Sequence, residues 1–369
     1  MSATALEPQR ATPLAEALAQ RIAVSGPISV SAYMTACLAD PQHGYYRAQQ
    51  AIGGAGDFIT APEISQVFGE LLGLWSAVVW QQMGQPSAFQ LVEVGPGRGT
   101  MMADALRAAA RVPGFAQAVR VVLVEPSPVL RQAQEHTLAR AAMDVRWLER
   151  LDQLVPAATV LLANEFLDVL PVDQLVRHAG EWRVRTVGRD ASGGLAFGLG
   201  DAAAPAAWPD IAAAAPEGAI LELRDLAPCA TALARVAVQH PLAALFIDYG
   251  HEATGFGDTL QAVRRHRPEH PLTSPGEADL TAMVDFEAVA RAFSRTGLVC
   301  ERLTTQAELL GALGIAERAS RLMSANPARA GEIEMGIGRL MSPQGMGTRF
   351  KALGVRSPAL PPLPGFPLR

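Results

Sequence analysis

Lysine is nearly missing from this chain. Lys351 is the only lysine among 31 basic residues. A P-loop requires Gly-Lys-Ser/Thr to cradle phosphates, so that type of nucleotide site is excluded. A kinase-type lysine or a pyridoxal Schiff base would have to be Lys351 itself. Cysteine is scarce and odd in number: Cys37, Cys229 and Cys300 lie far apart, and no C-x-x-C or H-E-x-x-H occurs. A disulfide framework and a structural zinc are therefore not expected, no metal site is expected, and a reducing compartment is. No apolar run approaches the ~18 residues of a membrane span, and the N-terminus lacks an apolar signal core. The expectation is a soluble cytoplasmic protein with no membrane insertion. A net charge of −5 argues against a nucleic-acid partner.

What is present suits a globular enzyme. The chain has 369 residues, 49% hydrophobic and 18% charged, enough for one large domain or two ordinary ones with a substantial core. Its strongest local signal is Leu91-Val92-Glu93-Val94-Gly95-Pro96-Gly97-Arg98-Gly99-Thr100. An apolar strand carries a carboxylate near its end, breaks into glycines at alternate positions, and leads into a helical pattern. This is how an α/β protein brings its main chain against a nucleotide-like ligand. A dinucleotide fingerprint, G-x-G-x-x-G, would need glycine where Thr100 stands, so a dehydrogenase is disfavoured. The spacing resembles motif I of S-adenosylmethionine (SAM) methyltransferases. SAM carries an ammonium, a carboxylate and a sulfonium but no phosphate. Glu93 is positioned to hold the ammonium, and Gly95, Pro96, Gly97, Gly99 and Thr100 to admit the methionine moiety without a Cβ in the way.

A second strand, Val121-Val122-Leu123-Val124, ends at Glu125-Pro126-Ser127. An acid at that point, some 20–30 residues beyond the glycines, is placed to grip a ribose diol. The pattern from Phe89 then alternates: strand 89–94, helix 99–111, strand 120–124, helix 127–140, strands near 144–147 and 158–163. That series predicts a parallel sheet. Upstream, helices are predicted over 13–24 and 29–39, the second capped by Ser29 or Ser31, and an unbroken amphipathic helix from Pro62 to Gly84. Downstream, 174–187 reads as a hairpin about Ala179-Gly180. Residues 189–216 read as a loop or insertion, 224–239 as a helix, 242–248 as a strand, 251–280 as irregular, 286–296 as a helix and 298–303 as a strand. Further helices and an extended tail from Ser357 complete the reading. The domains expected are 1–86, a helical cofactor-covering region; 87–304, a methyltransferase core with an insertion at about 172–222; and 305–369, C-terminal helices and tail.

Ligands in such sheets lie at the carboxyl ends of strands. The strand ending at Ala163 delivers Asn164-Glu165-Phe166-Leu167-Asp168-Val169-Leu170-Pro171, and the later strand delivers Asp248-Tyr249-Gly250-His251. Asn164, Glu165 and Asp168 are the candidate catalytic residues, with Phe166, Asp248 and Tyr249 lining the acceptor site.

Four segments together resemble the MidA-like SAM-dependent methyltransferases, a family that includes the mitochondrial assembly factor for respiratory complex I. They are Gly53 with Gly56 to Ser65 and Phe68-Gly69-Glu70; Glu93 to Thr100 with Asp104; Asn164 to Pro171; and Ile247 to Gly250 with Gly276 to Thr281 and Val284-Asp285-Phe286. The resemblance spans roughly 30–350. It implies a class I, Rossmann-like α/β sheet with an N-terminal helical region and a family-specific insertion. It also implies SAM as cofactor and methyl transfer to arginine of a protein, by extension a subunit of an NADH-dehydrogenase-type complex. Eukaryotic relatives act in the mitochondrial matrix. Gly56, Asp57, Thr60, Pro62 and Glu63 join the cofactor site on this resemblance. Similar sequences carry a histidine where Met283 stands here. Two other functions fit the same cofactor site, a small-molecule methyltransferase and a non-catalytic SAM-binding assembly chaperone.

Overall fold

The computed structural model describes residues 10–47, 60–139, 144–203 and 210–367. The chain forms two compact units that interleave in sequence. One draws on 1–58, 168–225 and 253–283, the other on 59–167, 226–252 and 284–369. The helix Gln66–Gln82 (α1) packs along the helix Thr100–Ala109 (α2) and so belongs to the central sheet's unit.

That packing is close because α1 presents Gly69 and Gly73 to its neighbour. A Cβ on Gly73 would lie 2.2 Å from the Ala105 carbonyl oxygen, and one on Gly69 2.8 Å from the Cβ of Asp104. The single helix predicted from Pro62 is in fact two. Ser65 is extended between Ala61–Ile64 and α1, and its Oγ caps α1 by accepting the Val67 N–H at 3.3 Å. A side-chain hydroxyl that satisfies an orphan amide restarts the helix in a new direction.

The sheet of this unit is built on β1 (Phe89–Val94), β2 (Val119–Val124), β3 (Val145–Leu148), β4 (Thr159–Asn164), β5 (Leu242–His251) and β6 (Phe350–Arg356). Its order is β3-β2-β1-β4-β5-β6, parallel through β5, with β6 antiparallel. Residues of β1 and β4 are buried on both faces, which is why they read as continuous apolar runs rather than alternating ones. One face packs Phe68, Leu72, Trp75, Met102 and Leu106 against Leu91, Val121 and Leu162. Strand β1 lies between β2 and β4, so the strand order reverses there, and the carboxyl ends beside it form the crevice of a doubly wound sheet. The helix Pro128–Leu138 (α3) follows β2 with Ser127 as its cap. Strand β6 lies in 305–369, where the sequence pattern points to helices and a tail. Gly354 and Lys351 interrupt its apolar pattern, yet it pairs with β5 over seven residues.

The other unit opens with the helices Pro13–Ser25 and Val30–Ala39, capped by Thr12 and Ser29. Its larger sheet runs Ile28–Ser29, Glu181–Arg189, Val172–His178, Ile220–Arg224, with Leu195–Ala202 added beside Glu181–Arg189. The last strand falls in 189–216, expected to be loop. Its composition misled because small residues are needed there: a Cβ on Gly200 would meet Thr186 Cγ2 at 2.9 Å. Residues 251–280, expected to be irregular, hold Gln261–Arg264 and Arg267–Glu269, which form a small sheet with Asp279–Thr281. Among the described residues no helix is long and apolar enough to cross a membrane.

Candidate active site

The turn after β1 has the backbone that only glycine adopts freely. Gly95, Gly97 and Gly99 have φ of 65°, 52° and 82°. The Gly99 N–H donates to the Pro96 carbonyl at 2.7 Å, closing the turn, and Gly99 leads α2 without a side-chain cap. Glu93 stands behind this turn, 2% exposed. It accepts the N–H of Met102, an orphan amide in the first turn of α2. Burial nevertheless pushes its carboxyl up to about 8, against the opposing pull of that amide. Its Oε2 is buried and has no hydrogen-bonding partner among the described residues. A buried carboxylate oxygen without a partner is costly unless a donor, above all a cationic one, completes it.

Glu125 lies at the end of β2, 4% exposed. Its Oε1 accepts the Ser127 N–H at 2.8 Å, and its Oε2 faces the Gln134 amide nitrogen at 3.4 Å. Sequence reasoning missed Gln134, which is fully buried on α3. The signal was present: Leu130, Gln134 and Leu138 share the buried face of an amphipathic helix, and a polar side chain there requires partners.

At the end of β4, Asn164 is 8% exposed, and its Nδ2 donates to Glu165 Oε1 at 3.0 Å. Asn164 Oδ1 is buried without a partner among the described residues. Glu165 sits at φ 52°, a left-handed conformation that a residue with a Cβ holds only when its surroundings impose it. The imposing contacts are its N–H to the Ile247 carbonyl at 2.9 Å and its carboxylate, which accepts the Ala61 N–H at 3.2 Å. The Phe166 ring approaches the glycine turn: a Cβ on Gly95 would lie 3.6 Å from its Cδ2. The corner after β4 and the turn after β1 thus meet, as the pairing of Val94 with Ala163 requires.

Asp248 is 1% exposed and braces this corner. Its Oδ2 accepts the Leu167 N–H and its Oδ1 the Tyr249 N–H, both at 2.9 Å. The Tyr249 ring packs tilted against Phe350, with ring centroids 5.5 Å apart. Glu63, in the short helix Ala61–Ile64 that Thr60 precedes and that holds Pro62 in its first turn, accepts the Thr100 hydroxyl at 2.6 Å and so reaches the first residue of α2. Gly56 and Asp57 lie outside the described residues. Asp168 belongs to the other unit, 4% exposed, where its carbonyl accepts the Ala282 N–H at 3.0 Å. Its carboxylate and that of Asp279 add to the burial that raises the Tyr46 hydroxyl well above its ordinary range. Met283 is 38% exposed, and its N–H donates to Thr259 Oγ1 at 2.9 Å.

A reversed strand order, a left-handed glycine turn, a buried acid with one oxygen awaiting a donor and a second acid one strand over define a class I methyltransferase. Comparison with known proteins agrees. The family model described as "Putative S-adenosyl-L-methionine-dependent methyltransferase" matches residues 71–304, and the chain belongs to that family. It is 34% identical over 372 residues to the zebrafish (Danio rerio) protein named protein arginine methyltransferase NDUFAF7, mitochondrial, with 93% of this chain and 86% of that one covered. The mouse (Mus musculus) protein of the same name is 35% identical over 374 residues, covering 93% and 84%. A solved structure from Burkholderia thailandensis, bound to S-adenosyl-homocysteine, is 28% identical with a TM-score of 0.83, covering 97% of each chain.

The residues present fit SAM. Glu93 Oε2 offers an acceptor for the ammonium, the glycine turn exposes main chain, and Glu125 offers a carboxylate for a sugar diol.

Proposed function

We propose that this chain methylates an arginine side chain of a protein, at the corner formed by Asn164 and Glu165. The observation that carries the reading is the conformation of that corner. Glu165 is held left-handed at a strand end, with its carboxylate next to the Asn164 amide and Phe166 turned onto the cofactor's glycine turn. SAM supplies the methyl group already activated on a sulfonium, so the protein's task is binding and alignment. In this reading Glu93 holds the ammonium and Glu125 the ribose.

Arginine is a demanding acceptor, because its guanidinium stays protonated and its lone pairs are delocalised. A carboxylate against one edge of the group binds the cation, orients one nitrogen and concentrates positive charge on the others. Glu165 is the carboxylate we assign to this, with the Asn164 carbonyl oxygen as a further acceptor for a guanidinium N–H. Asp248 keeps both in place through the main chain of Leu167. The names of the relatives, at 34–35% identity over 93% of this chain, support an arginine acceptor on a protein. A subunit of an NADH-dehydrogenase-type complex is the acceptor protein that the family resemblance favours. The three cysteines are buried and form no disulfide, which suits the reducing cytoplasm in which we place the protein.

The test is incubation of the full chain with methyl-labelled SAM and cell lysate, followed by fractionation and acid hydrolysis. Label recovered as methylated arginine in a protein band supports the proposal. Label confined to small molecules points to the small-molecule alternative. Binding of SAM without transfer points to an assembly chaperone, and Glu165→Gln separates these: it abolishes transfer and spares SAM binding only if Glu165 serves the acceptor.

A further inference from the structure

We propose that Gln134 is the positioning residue for the sugar end of the cofactor site. It sets the Glu125 carboxylate in register with the glycine turn. The inference rests on reading Glu125 as the ribose acid.

Gln134 is fully buried and joins three strand ends with one amide. Its Oε1 accepts the Trp147 indole N–H at 2.9 Å, from β3. Its Nε2 donates to the Gly97 carbonyl at 2.8 Å, after β1, and reaches Glu125 Oε2 at 3.4 Å, after β2. The chemistry fixes the orientation of the amide. An indole N–H can only donate, so it takes the oxygen, and the nitrogen is left facing two acceptors, a carbonyl and a carboxylate. No other uncharged side chain of this reach supplies an acceptor on one side and two donors on the other. A lysine or arginine would pair with Glu125 but leave the Trp147 N–H facing a cation.

The rest of α3 converges on the same point. Arg131, one turn earlier, donates from Nε to the Glu125 carbonyl at 2.6 Å, and Ser127, the cap, gives its N–H to the carboxylate. Gln134 also underlies the turn: a Cβ on Gly99 would sit 3.5 Å from Gln134 Cα. Glu125 is therefore gripped at its carbonyl and at both carboxylate oxygens by one helix, and Gln134 alone extends that grip to Gly97. Two ligand-facing elements that must agree in position, the turn beneath the methionine end and the acid at the sugar end, share one rigid strut. A preorganised acceptor loses less entropy when a diol binds than a mobile one.

The experiment is calorimetric titration of the full chain with S-adenosylhomocysteine and with its analogue lacking the ribose 2′-hydroxyl. The variants are Gln134→Glu, which keeps the acceptor for Trp147 but loses both donors, and Gln134→Met, which keeps the volume and loses all three bonds. Thermal melts of each without ligand report folding. Wild type is expected to prefer the ribo compound. Gln134→Glu is expected to lose roughly tenfold or more in affinity for it, the scale of a hydrogen bond to a charged group, with a much smaller loss for the 2′-deoxy compound. An equal loss for both compounds in a folded variant overturns the positioning role and leaves the cofactor reading intact. If the ribo compound fails to bind wild type, the cofactor reading itself falls and takes this inference with it. If Gln134→Glu does not fold, the same comparison in Gln134→Met decides.

Discussion

Replacing Glu93 by glutamine should stabilise the protein without ligand while disabling it. The acid is 2% exposed with one oxygen unpartnered among the described residues, and burial moves its carboxyl from an ordinary 4.5 to about 8. Below about pH 4.5 the group is protonated in both folded and unfolded chains and carries no penalty. Between the two values the unfolded chain ionises and the folded one does not, so stability falls as pH rises; above about 8 the loss is complete. At about 1.4 kcal/mol for each tenfold change in proton affinity, the full loss is on the order of 4 to 5 kcal/mol. Glutamine never ionises and escapes it. Glu93→Gln should therefore melt close to wild type near about pH 5 and roughly 10 °C above it near about pH 9. Saturating S-adenosylhomocysteine should reverse the order at the higher pH. A ligand at free concentration L stabilises by RT ln(1 + L/Kd), so the tighter binder gains more at equal ligand concentration, and an ammonium gains a carboxylate only in wild type. Binding to wild type near about pH 7 should also release protons, visible as a binding enthalpy that changes with the buffer. Melting curves that stay parallel from about pH 5 to about pH 9 would refute the reasoning, because they would mean Glu93 is ionised throughout.

Other substitutions probe the same frame. Gly97→Val, which forces a branched side chain onto φ 52° in the turn, should abolish S-adenosylhomocysteine binding by calorimetry while far-UV circular dichroism stays unchanged. Gly73→Ala should cost about 1–3 kcal/mol in urea unfolding, because its Cβ would need the space 2.2 Å from the Ala105 carbonyl. Glu70 is fully buried. Burial would push its carboxyl up, but hydrogen bonds and charge from Arg318 and Arg107 outweigh that and hold it below its usual value. Its contribution is present above the unfolded carboxyl's pKa and is lost as pH falls through the lowered folded one. Glu70→Gln should cost about 2–3 kcal/mol, less than a fully buried pair because both arginines are partly exposed. Asp248→Asn should lower methyl transfer with little change in S-adenosylhomocysteine affinity, since it braces Leu167 rather than the glycine turn.

The legible parts of the sequence were those in which local chemistry and global position coincide. Alternate glycines after an apolar strand could be read because left-handed φ is a local property, and the placement of Glu93 and Glu125 because apolar runs fix where the strands end. Apolar runs gave β1, β2, β4 and β5. What escaped depended on partners distant in the chain. Leu195–Ala202 is a strand because Glu181–Arg189 offers an edge, although Gly198 and Gly200 disfavour the conformation locally. Gln134 looked like one more polar helical residue until Trp147, Gly97 and Glu125 surrounded it. That the Asp248 carboxylate accepts the Leu167 and Tyr249 amides is likewise invisible in its spacing. Side-chain direction at a strand end is set by the neighbouring turn, which spacing alone does not encode.

Strand β6 has a bearing on biosynthesis. It covers residues 350–356 yet is flanked by β5, at 242–251, and by Val299–Cys300, so the central layer cannot be completed until residue 356 has left the ribosome. Until then the nascent chain exposes an unsatisfied edge along β5, the kind of surface that chaperones shield and that neighbouring polypeptides capture. Deletions that remove β6 should therefore leave insoluble protein rather than a weakened enzyme.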